Sequence, residues 1–193
     1  MTHRKSQILK IAAQLFKERG YSAVTMRDLA NAMGMKAASL YNHISGKQEI
    51  LSLLILKVAK EFTLGMDRVK SDQKFAGPSS AKQAEQLIAL HIRIAITYTN
   101  ELAVLNNDWM HLEGREYELY MEMRKQYEQD FREILNAGIQ HGEFQEMNVE
   151  TLLYSLLSTL RSLYLFIPKR SEEEIQGMEQ ELPQLLLLGL VKR

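Results

Sequence analysis

The sequence predicts an all-α fold: a three-helix helix-turn-helix head followed by a helical bundle, about nine helices in all. Three observations carry that expectation. Apolar residues recur at helical spacing through almost the whole chain. No stretch sustains the strict alternation of a half-buried strand between turn signals. Residues suited to helix caps and turns mark the ends of several periodic segments.

Taken in order, a first helix over residues 4–19 gathers Ile8, Ile11, Ala12, Leu15 and Phe16 on one face, and Gly20 stands where a left-handed C-terminal cap belongs. A short second helix starts at Thr25 and ends near residues 33–34. Thr25 caps it, Asp28 closes a variant of the capping box, and Val24 with Leu29 is placed as a hydrophobic staple. A third helix covers residues 36–43. A long fourth starts at Ser45, where Ser45 and Gln48 give an S-x-x-Q capping pattern, and it is apolar almost all round through Phe62. Gly77, Pro78 and the serines around them mark a loop over residues 71–80. Further helices are expected over residues 82–105, 115–141, 149–166 and 171–190, with a turn or broken helix over 106–114. Pro168 ends the penultimate one.

The 193 residues include no cysteine, which removes disulfides, thiolate metal sites and cysteine nucleophiles together. No run of about eighteen apolar residues appears, and residues 1–10 lack the apolar centre of a secretory signal. The expected location is therefore the cytoplasm, with no membrane partner. The formal charge of zero conceals a division: residues 1–60 carry ten Lys or Arg against three acids, so the remainder is acidic by seven. A basic head on an acidic body suits a protein that brings one end to a polyanion.

Two short helices joined by a tight turn let one helix cross the DNA backbone while its neighbour enters the major groove. Ala30 is small where such helices cross, Gly34 suits the turn, and Leu40 points back into the head. Phe16-x-x-x-Gly20-Tyr21, Thr25-x-Arg27-Asp28-Leu29-Ala30 and Gly34-Met35-x-x-x-Ser39-Leu40-Tyr41-x-His43-Ile44-x-x-Lys47 together resemble the DNA-binding domain of the TetR family of bacterial regulators. The likeness runs without a gap over residues 8–54. It implies a DNA-binding domain over residues 1–46 and a ligand-binding and dimerisation domain over 47–193, the last two helices pairing two copies. It also implies that Thr25, Tyr41, His43 and Lys47 meet phosphate, while Arg27, Lys36, Ala37, Ser39 and Asn42 reach base edges or nearby phosphates. Their chemistry agrees: Arg27 suits guanine, Asn42 adenine, and Ala37 a thymine methyl. Two positions depart from the family pattern, Lys36 standing where a serine cap is frequent and Ile44 where an aromatic is.

In the body, Tyr117, Tyr120, Met121, Arg124, Tyr127 and Phe131 form a stripe with one cation in its middle, and Arg161 shares a face with Leu157 and Tyr164. One reading is ordinary core, with Arg124 paired to Glu128. The other is an apolar pocket in which Tyr117, Tyr120, Arg124, Tyr127 and Arg161 hold an apolar or anionic effector, such as a fatty acid or its coenzyme A thioester, a class that the resemblance suggests. His91, His111 and His141 with Asp108 and Glu113 lack metal-ligand spacing, so neither a metal nor another cofactor is expected. The expected function is a repressor released from a palindromic operator by its effector. A constitutive DNA-binding protein is the alternative, and a helical enzyme is disfavoured because no nucleophile, phosphate loop or metal motif is present.

Overall fold

The computed structural model describes residues 3–71, 79–188 and 191. Among them lie ten α-helical segments, two 3₁₀ turns and no strand beyond an isolated bridge between Phe144 and Val191. The helices are α1 (His3–Arg19), α2 (Met26–Ala32), α3 (Ala37–Tyr41), α4 (Lys47–Ser71), α5 (Ser80–Thr97), α6 (Thr99–Asp108), α7 (Gly114–Gln140), α8 (Val149–Arg161), α9 (Leu163–Phe166) and α10 (Glu172–Leu188). With the single turn of α9 joined to α8, they number nine. The loop expected around Gly77 and Pro78, and the expected helix end at residue 190, lie outside the described residues.

Two segments expected as single helices are broken. Residues 82–105 divide at Tyr98, whose backbone (φ −124°, ψ 38°) leaves the helical region. Residues 149–166 divide at Ser162, where the chain turns tighter and the hydroxyl bonds back to the Thr159 carbonyl at 2.8 Å. Apolar periodicity continues through both breaks, so it does not register them. The turn expected over 106–114 is partly helix: α6 reaches Asp108 and a 3₁₀ turn covers Trp109–His111. At α4 the structure corrects the cap: Glu49, not Gln48, reaches back to Ser45, accepting from its backbone N–H at 2.6 Å and its hydroxyl at 2.7 Å.

The chain packs as two compact units. The first comprises the described residues of Met1–Ala59 and Tyr98–Met121. Its core takes Ile8, Ala12 and Phe16 from α1, Leu29 and Ala30 from α2, Leu40 from α3, Ile50, Leu51 and Leu54 from α4, and Ala103 and Val104 from α6, all at most 1% exposed. Each such leucine or isoleucine contributes about 1.5–3 kcal/mol by leaving water. The second unit comprises the described residues of Lys60–Thr97 and Glu122–Arg193. Here α5 is central, burying Ala84, Leu87, Ile88, Ile92 and Ala95 and packing on α8, α9 and α10. No single helix among the described residues is long and apolar enough to cross a membrane.

Candidate nucleic-acid interface

The head presents its helix-turn-helix on a rigid local frame. Thr25 is the N-cap of α2: its hydroxyl accepts from the Asp28 N–H at 3.1 Å, and Asp28 accepts from the Thr25 N–H at 2.8 Å. The Thr25 hydroxyl also donates to the Asp28 carboxylate at 2.5 Å, and that bond, with the one from the Thr25 N–H, holds the Asp28 carboxyl below its ordinary range. Val24 and Leu29 are both buried, completing the staple. The chain then turns through Gly34 at φ +63°, a left-handed conformation that a side chain would strain, and Met35 donates back to the Ala30 carbonyl at 3.0 Å.

Helix α3 follows with Lys36 at its N-cap, where the ammonium offers no acceptor for a cap bond and the side chain is exposed. Leu40 and Ile44 anchor the underside, each at most 1% exposed. Around that anchor Arg27, Lys36, Tyr41, Asn42 and His43 are exposed, and Ala37 and Ser39 are half-buried. The surface of α2, α3 and the following turn therefore offers guanidinium, ammonium, amide, phenol, imidazole and hydroxyl donors, with a methyl among them.

Lys47 lies differently. Its ammonium turns toward the end of α1, donating to the carbonyls of Tyr21 and Val24 at 2.9 Å each and sitting 4.2 Å from the Tyr21 ring centroid. It clamps the turn that launches α2. A polar network around it joins segments distant in sequence. The Tyr21 N–H donates to Asp108 Oδ1 at 3.2 Å, the Tyr21 hydroxyl to Gln48 Oε1 at 3.0 Å, and Gln48 Nε2 to the His111 carbonyl at 2.8 Å. Tyr21 also stacks on His111 at 5.4 Å. Burial raises the Asp108 carboxyl above its usual pKa, and its Oδ2 is buried with no hydrogen-bond partner among the described residues. Sequence reasoning weighed Asp108 and His111 only as metal ligands. No sequence signal pairs them with Tyr21, because the partners stand far apart along the chain.

The aromatic stripe of α7 divides between the units. Tyr117 and Tyr120 face Trp109 in the first, with ring centroids 6.3 and 5.9 Å away. In the second, Arg124 and Arg161 converge on Glu128 Oε1 at 3.1 and 2.5 Å. Tyr127 and His91 are 2.9 Å apart at hydroxyl and Nε2, with Phe62 against both rings. Burial lowers the His91 pKa to about 3, so the imidazole is neutral, and it pushes the Tyr127 phenol up. Cavities in this unit include one of about 570 Å³, bordered by Ala81, Glu85, Pro183, Leu187 and Leu188, and one of about 250 Å³ between α4 and α5. Neither is lined by the stripe residues. Among the described residues no three His, Asp or Glu side chains are grouped to hold a metal ion.

A capped helix-turn-helix with an exposed, donor-rich second helix on a basic segment defines a class, the DNA-binding regulators of transcription. Within that class the chain belongs to the TetR family. The family described as "Bacterial regulatory proteins, tetR family" matches residues 8–54, and that described as "Tetracyclin repressor-like, C-terminal domain" matches residues 77–181. Among curated relatives, the HTH-type transcriptional repressor KstR2 of Rhodococcus jostii is 27% identical over 158 residues, covering 81% of this chain and 76% of its own. KstR2 of Mycobacterium tuberculosis is 29% identical over 146 residues, covering 74% and 70%. The solved structure of the ketosteroid transcriptional regulator KstR2 of M. tuberculosis superposes with a TM-score of 0.89 at 20% identity, covering 100% of this chain and 97% of that one. The structure of AibR with isovaleryl coenzyme A and operator DNA superposes at 0.76 and 20% identity, covering 95% and 97%.

Proposed function

We propose that this regulator is a homodimeric repressor, released from a palindromic operator by a small apolar or anionic effector. The single observation that carries the DNA half is the exposed surface of α2, α3 and the following turn, where every polar side chain assigned to DNA except half-buried Ser39 and Lys47 is exposed. We assign residues 1–46 to DNA and 47–193 to ligand and dimerisation; this is a division of roles, since Tyr98–Met121 packs in the first unit. Arg27 and Asn42 are proposed to read bases, with Ala37, Lys36 and Ser39 beside them; Thr25, Tyr41 and His43 are proposed to hold phosphate. Lys47 is proposed to do so with the hydrogen left over from its two carbonyl bonds, at the N-terminus of α4.

The dimer is proposed through α8 and α10, whose Tyr154, Leu185 and Leu188 are 75%, 67% and 61% exposed and would leave water on pairing with a second copy. The effector proposal keeps Arg124, Tyr127 and Arg161 in the second unit, and separately Tyr117 and Tyr120 in the first. An anion at the two arginines has to displace Glu128, which now serves both. A fatty acid or coenzyme A thioester is the effector class we favour, the thioester because AibR is named with one. The protein is read as non-catalytic and cytoplasmic.

The experiment is selection of bound DNA from a random pool, then titration of carboxylic acids and coenzyme A thioesters against the preformed complex. Selected sites with two inverted half-sites and release by one of the acids or thioesters support the proposal. Sites without dyad symmetry sink the dimeric operator, and release that Arg124→Ala and Arg161→Ala leave unchanged sinks the effector assignment. By linkage, any effector that lowers DNA affinity must have its own affinity lowered by DNA by the same factor.

A further inference from the structure

The arginines of the second unit divide sharply by their partners. Arg124 and Arg161 share Glu128, Arg132 binds Glu150, and Arg170 binds Glu174. Arg68 and Arg93, both exposed, form no ion pair among the described residues, and both line the same cavity, of about 250 Å³, between α4 and α5. No carboxylate lines that cavity. The geometry that makes it is specific. A Cβ on Gly65 would collide with the Leu90 side chain, so the bare backbone of α4 lets α5 approach closely. Gly65, Val69, Ala89 and Leu90 then give short apolar walls, and the i, i+3 and i, i+4 spacing from Gly65 to Arg68 and from Ala89 to Arg93 sets the two guanidiniums on the lining faces.

From this we infer a binding site for a small organic anion, a carboxylate or phosphate monoester with a short apolar tail, held at Arg68 and Arg93. Guanidinium matches both head groups through paired N–H donors. The volume lies below the range of drug-sized pockets, which favours a small occupant. Unlike Arg124 and Arg161, these two cations have no carboxylate to displace among the described residues. The site is separate from the residues of the proposed effector response and does not rest on that proposal.

The test is amide chemical-shift titration of the isotope-labelled full chain with hexanoate, hexyl phosphate and the neutral hexanamide. Saturable shifts centred on Gly65 and Ala89 are expected with at least one anion and not with hexanamide, and the stronger anion identifies the head group. The Arg68→Gln/Arg93→Gln variant should lose about tenfold or more in affinity. Ala89→Leu, which fills the cavity and spares both arginines, should lose binding too, with circular dichroism confirming that each variant stays helical. The inference is overturned if neither anion gives saturable shifts there, if hexanamide binds as well, or if the double variant binds like the wild type.

Discussion

Lys47 holds two backbone carbonyls and caps an aromatic ring with one ammonium group, so its substitution acts on the fold before it acts on DNA. Charge-assisted hydrogen bonds contribute about 1.5–3 kcal/mol each when shielded. Lys47 is half-exposed, and Lys47→Met, which keeps the stem, should lower stability by about 1–3 kcal/mol in urea denaturation. If Lys47 also meets phosphate, the salt dependence of DNA affinity flattens by about one ion, measured well below the melting temperature. An unchanged slope beside the lost stability assigns it a purely structural role. Glu49 gives a pH signature of opposite origin. The Lys5 ammonium at 2.6 Å, with the Ser45 hydroxyl and N–H, holds its carboxyl down at about 2. Its folded pKa is depressed, so its stabilisation is complete above about pH 4.5 and disappears as pH falls toward 2. Allowing for solvent screening, Glu49→Gln should remove about 1–2 kcal/mol at neutral pH and flatten acid denaturation in that window.

At the scale of elements, what was legible in the sequence was local. The Thr25–Asp28 box and the Val24–Leu29 staple join residues at most five apart, and the apolar face of α1 repeats in steps of three and four, so spacing alone reveals them. The Ser45 cap was misassigned because Gln48 is recruited by Tyr21 and His111, partners 27 and 63 residues away. The helix breaks at Tyr98 and Ser162 escaped because apolar periodicity runs through both. The aromatic stripe was visible, but its division was not: Tyr127 closes on His91 and Phe62, which come from α5 and α4. That cluster makes its own prediction. Burial lowers the His91 pKa to about 3, with the Arg161 charge adding to it, so the folded state resists a proton that the unfolded chain accepts. Stability is therefore at its plateau above about pH 6.5 and falls as pH drops toward 3. His91→Phe should flatten this fall in thermal melts taken across the window. Tyr127→Phe strands a buried imidazole nitrogen and should cost about 1–3 kcal/mol while leaving the fall in place.

At the scale of the whole molecule, the charge division and the exposed apolar residues act on the same equilibrium. The surplus of seven positive charges over residues 1–60 gives each head an attraction for any duplex, and that attraction carries no sequence information. Specificity grows when two heads are tethered, because the second half-site is then bound at an effective concentration rather than from solution. The proposed tether is formed by α8 and α10 of the second unit, which expose Tyr154, Leu185 and Leu188. Tyr154→Glu with Leu185→Glu places two carboxylates on each copy where apolar side chains are to meet. Desolvating them disfavours association, whereas both positions are exposed enough that the single copy keeps its fold. Sedimentation should give a dimer for the wild type and a monomer for the double variant. Fluorescence anisotropy should show affinity for the full palindrome falling by about a hundredfold or more, with affinity for an isolated half-site unchanged. A variant that stays dimeric places the interface elsewhere, and a monomer that keeps full affinity for the palindrome means that tethering contributes nothing to recognition.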